Sequence, residues 1–254
     1  MSTITKLVPI PSGINQGIKP ARQQTMLSLI GNPRATYNSK CQNPTNPRIS
    51  SLIVVETVGR LKVRGLSPAV ASLRAVIDEI RTSVPDVYET LGHMGMLCAR
   101  LVRGSATAIS NHAWGTAIDL TLDGKLDIRG DGLVQEGLTR IAPIFNKHQW
   151  FWGAGFRTED AMHFECSDGL IRQWAQDGVF GATAPPDSGE LYMFGDRGPE
   201  VMKLQTALNK KGALLLVDGD FGRNTQAAVM AFQRKHDLPA DGVVGPKTLA
   251  ALGL

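Results

Sequence analysis

Two histidines and two aspartates stand in an arrangement that could do chemistry: His112 and Asp119 seven residues apart, then Asp160 and His163 three apart. Two imidazoles and a carboxylate, from His112, Asp119 and His163, make a three-donor set suited to zinc and leave the fourth tetrahedral position for water. An open position points to catalysis rather than to a structural metal. His112 and Asp119 can converge if Gly115 between them permits a sharp turn, and His163 must then arrive from a neighbouring strand. Asp160 is close enough to stand beside a metal without ligating it, where it would serve as general base toward that water. Spacing alone is a weak signal, because a histidine in a mixed sequence is more often a satisfied core or surface residue. Glu159 and Glu165 are rival bases, or plain surface residues. Cys166 follows His163 by three positions, but nothing around it marks a lowered thiol pKa, which argues against a cysteine–histidine hydrolase.

Those side chains need elements to hold them. Ser67 to Ser83 reads as a helix, with Ser67 as N-cap, Pro68 in the first turn, and Val70, Leu73, Val76, Ile77 and Ile80 on one face. Residues 107–122 read as a loop feeding a strand at 117–122, and residues 134–145 as a second helix. Residues 150–156 form a glycine-punctuated strand or turn, and 162–165 a short strand. Helices and short strands without a regular alternation favour an α+β fold. Further on, Asp218-Gly219-Asp220-Phe221-Gly222 is echoed by Asp241-Gly242-Val243-Val244-Gly245, each copy a turn followed by a helix. Val201, Leu204 and Leu208, then Ala228, Val229 and Phe232, show helical periodicity, so this piece is expected to be a small all-α three-helix domain. The sequence GATAPPDSGE at 181–190 supplies neither periodicity nor core. The expected division is therefore a catalytic domain at 1–180, a linker at 181–190 and a second domain at 191–254.

Composition narrows the function classes. Of 254 residues, 43% are hydrophobic and 20% charged, ordinary for a globular protein and poor for disorder or membrane insertion. The net charge of +4 is spread evenly: residues 191–254 hold eight Lys/Arg against six Asp/Glu, leaving nineteen and seventeen elsewhere. With no basic stripe, nucleic acid is not an expected partner, though a mildly basic chain is drawn to an anionic envelope. Cys41, Cys98 and Cys166 are odd in number and widely spaced, so reduced thiols are expected. Pro9, Pro11, Gly13 and Gly17 interrupt the place where a secretory signal would put its apolar core, so no signal peptide is read.

The pattern Ser-x-His-x-x-Gly-x-Ala-x-Asp, met by Ser110, His112, Gly115, Ala117 and Asp119, and the later Asp-x-x-His of Asp160 and His163, resemble the zinc D-Ala-D-Ala carboxypeptidase and L-alanyl-D-glutamate endopeptidase superfamily. The resemblance implies a Hedgehog/D,D-peptidase-like domain with a small antiparallel sheet and helices. It also implies zinc held by His112, Asp119 and His163, with Asp160 as base. Asp-x-Met-His at the second motif, where many carboxypeptidase relatives have Glu-x-Trp-His, is more similar to the phage endopeptidase branch. Residues 98–105 resemble the family segment in which an arginine faces the substrate, implying Arg100 as a catalytic guanidinium, or else Arg103. Ser110 is implied near the substrate or as a turn cap, and Trp150, Trp152 and Phe156 as cleft walls or core.

Residues 191–254 resemble a three-helix peptidoglycan-binding domain through Gly195–Val201, Leu204-Gln205, Asp218-Gly219, Phe232-Gln233 and Asp241-Gly242. Together the two resemblances imply a modular endolysin. It would be a monomer that waits in the host cytoplasm, then hydrolyses stem peptides of the wall after membrane permeabilisation, the L-alanyl-D-glutamate bond being the expected target. A bacterial D-Ala-D-Ala carboxypeptidase and a non-catalytic wall-binding protein with structural zinc remain the alternatives.

Overall fold

The computed structural model describes residues 3–38, 40–180, 192–194 and 196–254. The chain divides into two units, Met1–Gly181 and Ala182–Leu254. The expected linker at 181–190 lies outside the described residues.

The first unit runs β1 (Leu7–Pro9), α1 (Gln23–Leu29), α2 (Pro47–Ser51), β2 (Ile53–Val58), β3 (Leu61–Leu66), α3 (Ser67–Ser83), α4 (Pro85–Tyr88) and β4 (Leu91–Gly95). It continues through a 3₁₀ turn (Asn111–Trp114), β5 (Ala117–Leu122), β6 (Leu133–Gln135), α5 (Glu136–Lys147), β7 (Trp150–Trp152), β8 (His163–Cys166) and α6 (Asp168–Gln176). The order β4-β5-β8-β7 makes a four-stranded antiparallel sheet, beside the two-stranded pairs β2-β3 and β1-β6. This is the α+β arrangement expected from the mixed pattern.

Helix α3 covers Ser67–Ser83 as read from its periodicity, although Leu66 rather than Ser67 is the N-cap. The helix expected from residue 134 starts at Glu136 instead, because Val134 is drawn into β6 opposite Val8.

Strand parity decides which side chains enter the core. Phe164 is the register partner of both Ile118 and Trp152, and it stacks on Phe145 of α5 with ring centroids 4.1 Å apart. Trp152 stacks on the Phe164 ring at 6.1 Å, and Trp150 meets Phe145 edge-on at 5.8 Å. Each large apolar side chain sealed in this way contributes roughly 1.5–3 kcal/mol of transfer free energy. Successive side chains alternate across a strand, so His163 and Glu165, flanking Phe164, face the other side together with Asp119.

Gly115 does what its place between His112 and Asp119 suggested. It closes the 3₁₀ turn at φ +70°, and a Cβ there would lie 2.8 Å from the Leu66 nitrogen and 2.9 Å from the Gly65 Cα. A side chain would therefore meet both torsional and steric penalties.

The expectation of three reduced cysteines is corrected. Cys41 and Cys98 form a disulfide, with Cα atoms 4.9 Å apart, and only Cys166 is free. The backbone draws them together: the Ala99 N–H donates to the Gln42 carbonyl at 2.9 Å, which places the two chain segments side by side. A separation of 57 residues carries no such signal.

The second unit holds α7 (Pro199–Lys210), α8 (Arg223–Lys235) and α9 (Pro246–Leu252) around Leu204, Leu208, Phe221, Val229 and Phe232. Its sequence echo is also a structural one. Gln205 Nε2 donates to Asp218 Oδ1 (2.8 Å), the Asp220 carbonyl (3.0 Å) and Thr225 Oγ1 (3.2 Å), while its Oε1 accepts the Gly219 N–H at 2.9 Å. Gln233 repeats every bond, to Asp241 Oδ1 (3.0 Å), the Val243 carbonyl (2.8 Å), Thr248 Oγ1 (3.3 Å) and the Gly242 N–H (3.0 Å). Each glutamine is 1% exposed and pins a helix to the turn that follows it.

Candidate active site

His112 sits in the 3₁₀ turn, 4% exposed, with Nδ1 3.1 Å from the Met96 carbonyl. A carbonyl only accepts, so Nδ1 carries the proton and Nε2 presents its lone pair. His163 on β8 has the opposite sense: Nε2 lies 2.9 Å from Glu165 Oε2, leaving Nδ1 to face inward. Asp119 on β5 is the register partner of His163. His112 Nε2 is 3.1 Å from Asp119 Oδ1 and 3.2 Å from His163 Nδ1, and His163 Nδ1 is 3.1 Å from Asp119 Oδ1.

Among the described residues this trio is the one histidine, cysteine and acid cluster able to hold a metal ion. Donors at zinc distances of about 2.0–2.2 Å around a tetrahedral ion lie roughly 3.3–3.5 Å apart, so the triangle fits zinc with a slight expansion. The two outward nitrogens are each held by an acceptor, as metal-binding imidazoles require.

The electrostatics suit a cation. Burial acts to raise the Asp119 pKa, but its side-chain contacts with His112 and His163 outweigh it and hold the carboxyl well below its usual range. Burial disfavours the charged form of His163, yet Asp119 and Glu165 together raise its pKa above the ordinary value.

Asp160 lies in the turn that delivers β8: its N–H donates to the Gly153 carbonyl and its carbonyl accepts the His163 N–H, both at 3.0 Å. Its carboxyl pKa is raised, chiefly by burial, with His163 opposing and Asp119 adding to the rise. Asp160 Oδ2 is 3.2 Å from Arg129 Nε. Half-buried Arg100 donates to the Leu101 carbonyl at 3.0 Å. Burial and the charge of Arg103 lower its pKa, while Asp119 and Asp160 act the other way. Arg103 is exposed.

Ser110 is 6% exposed, and its carbonyl accepts the Ala113 N–H, so its contribution to the turn runs through the backbone. Trp152, expected to wall the cleft, is fully buried with its indole N–H donated to the Ala161 carbonyl at 2.7 Å. Parity with Phe164 puts it on the core side of the sheet, and Trp150 shares that fate. Phe156 is the aromatic that does reach the site, its ring 5.8 Å from that of His163.

The rival bases have other work. Glu165 holds His163 and accepts the Ala21 N–H at 3.1 Å. Glu159 accepts the Gly132 N–H at 2.8 Å, which holds its carboxyl below the ordinary range. Burial pushes the Cys166 thiol well above its normal pKa, the reverse of what a nucleophile needs. Sequence reasoning missed Arg129, Met96 and Glu165 as orienting groups. Glu165, two residues beyond His163 on one strand face, was the one with a readable signal.

Residues 103–166 match the family model described as D-alanyl-D-alanine carboxypeptidase, and residues 197–252 match that of a peptidoglycan binding domain. An N-acetylmuramoyl-L-alanine amidase of Mycobacterium tuberculosis is 46% identical over 56 residues, 22% of this chain and 14% of its own. The zinc D-Ala-D-Ala carboxypeptidase of Streptomyces albus G is 44% identical over 57 residues, 21% of this chain and 22% of its own. The chain thus spans less than a quarter of the length of these relatives. Among solved structures, a Burkholderia AP3 phage endolysin is 47% identical over 25% of each chain, with a TM-score of 0.25. A fused zinc-dependent amidase/peptidase/peptidoglycan-binding protein of Clostridium acetobutylicum is 35% identical over 26% of this chain and 30% of that chain, at the same TM-score. The chain therefore joins a segment that matches the D-alanyl-D-alanine carboxypeptidase family model, and carries the histidine–aspartate–histidine cluster, to a later segment that matches the model of a peptidoglycan binding domain.

Proposed function

We propose that this protein is a zinc-dependent peptidase of the peptidoglycan stem peptide, cutting the L-alanyl-D-glutamate bond as an endolysin, with residues 191–254 as its wall-binding domain. The observation that carries the reading is the convergence of His112 Nε2, Asp119 Oδ1 and His163 Nδ1 at 3.1–3.2 Å, each imidazole oriented by an acceptor behind it. Zinc held there would supply Lewis acidity toward the scissile carbonyl and toward a water nucleophile. Asp160 accepts the proton of the attacking water at its carboxylate and returns it to the leaving nitrogen. Burial raises its pKa above the ordinary carboxylate value, the direction that suits a group which must both take and give a proton. Arg100, within electrostatic reach of Asp119 and Asp160, offsets negative charge that grows on the carbonyl oxygen. The wall-binding domain raises the local concentration of enzyme on an insoluble substrate.

A D-Ala-D-Ala carboxypeptidase is the second reading, favoured by the description of the family model that residues 103–166 match. Digestion of purified sacculi separates the readings through the termini that mass spectrometry identifies. New amino-terminal D-glutamate supports the endopeptidase, released D-alanine the carboxypeptidase, and new amino-terminal L-alanine would replace both with an amidase.

A further inference from the structure

The loop between β5 and β6 brings another guanidinium to the site. Arg129 Nε stands 3.2 Å from Asp160 Oδ2, the Arg129 side chain being 42% exposed and that of Asp160 25%. This loop is anchored from within. Glu159 accepts the Gly132 N–H at 2.8 Å, with Gly130 and Asp131 adding backbone donors, and Asp127 Oδ2 accepts the Gln135 N–H at 2.6 Å. The backbone on both sides of Arg129 is therefore fixed while its side chain keeps access to solvent.

Arg129 is one of three arginines around the centre, since Arg100 feels Arg103 and Arg129 as well as Asp119 and Asp160. A guanidinium beside the general base, with its side chain open to solvent, is placed to take an anionic group of the substrate. The pair is open to solvent on the arginine side, so Arg129 can exchange Asp160 for another carboxylate, which its planar fork matches.

We propose that Arg129 is a substrate-binding residue that captures the carboxylate on the carbon next to the scissile nitrogen, and that its contact with Asp160 is the resting state this carboxylate displaces. The inference rests on the peptidase reading. D-Glutamate in a stem peptide is linked onward through its side-chain carboxyl, so its α-carboxylate stays free beside the bond to be cut. A terminal D-alanine offers the same group in the same place. When the guanidinium turns to the substrate, Asp160 loses its ionic partner and becomes available as proton acceptor, so that the correct substrate readies its own base.

The test uses the full-length, zinc-loaded protein and two L-alanyl-D-glutamyl peptides that differ only in a D-glutamate α-carboxylate or α-carboxamide. Both kcat and KM are measured for the parent, Arg129→Met and Arg129→Lys, together with the Kd of the non-cleavable D-glutamyl product in acid and amide forms. The parent should favour the acid by roughly 10- to 100-fold in KM and in product Kd, the range of a hydrogen-bonded ion pair. Arg129→Met should bring the acid to the level of the amide and leave the amide's KM unmoved, with Arg129→Lys between. If the parent shows no acid preference, or if Arg129→Met lowers kcat equally on both peptides with KM and product Kd unchanged, the proposal is wrong. A parent that cleaves neither peptide but releases terminal D-alanine removes the endopeptidase reading, and the same acid-to-amide comparison at D-alanine then decides the role of Arg129.

Discussion

Asp119 and His163 face each other as register partners across β5 and β8, so an antiparallel pairing, not a loop, sets the separation of two donors. Cross-strand partners of this kind hold their Cβ atoms about 4.5–5.5 Å apart, close enough for both to reach one ion. His163→Ala should therefore leave the sheet intact and remove the metal. Zinc per chain, read by elemental analysis, is expected to fall from one to near zero with activity, and full occupancy at unchanged affinity would refute the ligand assignment.

Asp160→Asn separates base from ligand. Zinc should stay bound while turnover drops by roughly two to four orders of magnitude, the range for general acid–base catalysis. Stoichiometry and rate are to be measured on one preparation: lost zinc would make Asp160 a ligand, and near-normal turnover would remove it from the reaction.

Glu165 acts through His163, so its removal should appear first in metal affinity. Glu165→Ala is expected to weaken zinc binding by about 10- to 100-fold, and Glu165→Gln by less, since an amide oxygen still accepts from Nε2. Competition with a chromogenic chelator reads both values, and an unchanged affinity in the alanine variant would reduce Glu165 to a partner of the Ala21 N–H.

Asp127 predicts a pH dependence of stability. Burial, aided by Asp131, Glu159 and Asp160, raises its carboxyl to about 6, and Oδ1 has no hydrogen-bond partner among the described residues. The unfolded group titrates near ~3.9, so the folded state binds this proton more tightly. The associated stability is full below about pH 4 and is lost as pH rises through about 6. Asp127→Asn cannot ionise, and should exceed the parent by about 2 kcal/mol at pH 8 and match it at pH 4. Urea denaturation at the two pH values checks this, an equal difference at both being the contrary result.

The two buried glutamines should matter equally. Gln205→Ala or Gln233→Ala each strips partners from a buried turn, and each should destabilise the second unit by roughly 2–3 kcal/mol, as orphaned buried groups do. Thermal unfolding followed by circular dichroism on residues 191–254 would test this, and a variant within about 0.5 kcal/mol of the parent would show that the brackets are dispensable.

The legible part of the site was the part written in short sequence intervals. His112, Gly115 and Asp119 share one turn and one strand, and α3 announces itself by the spacing of its apolar residues. Trp152 misled because an aromatic beside a glycine-rich turn suits a cleft wall and a core equally well, and only its pairing with Phe164 reveals the face it occupies. Arg129 was invisible because nothing in residues 123–132 is periodic. Its place depends on Glu159, which reads as a surface acid until the Gly132 N–H is found against it. The Cys41–Cys98 bond depends likewise on two loops meeting in space.

The paired glutamine brackets bear on how the second unit responds to temperature. Exposing apolar surface raises the heat capacity of unfolding and exposing amides and hydroxyls lowers it. This unit buries Gln205, Gln233, Thr225 and Thr248 at 1–4% exposure within a small apolar core. Its heat-capacity increment per residue should therefore be lower than that of the first unit, which holds all four tryptophans, and its stability curve flatter. The smaller unit, with fewer large apolar side chains, is thus expected to be the one whose hold on its fold changes least between a cold environment and a warm one.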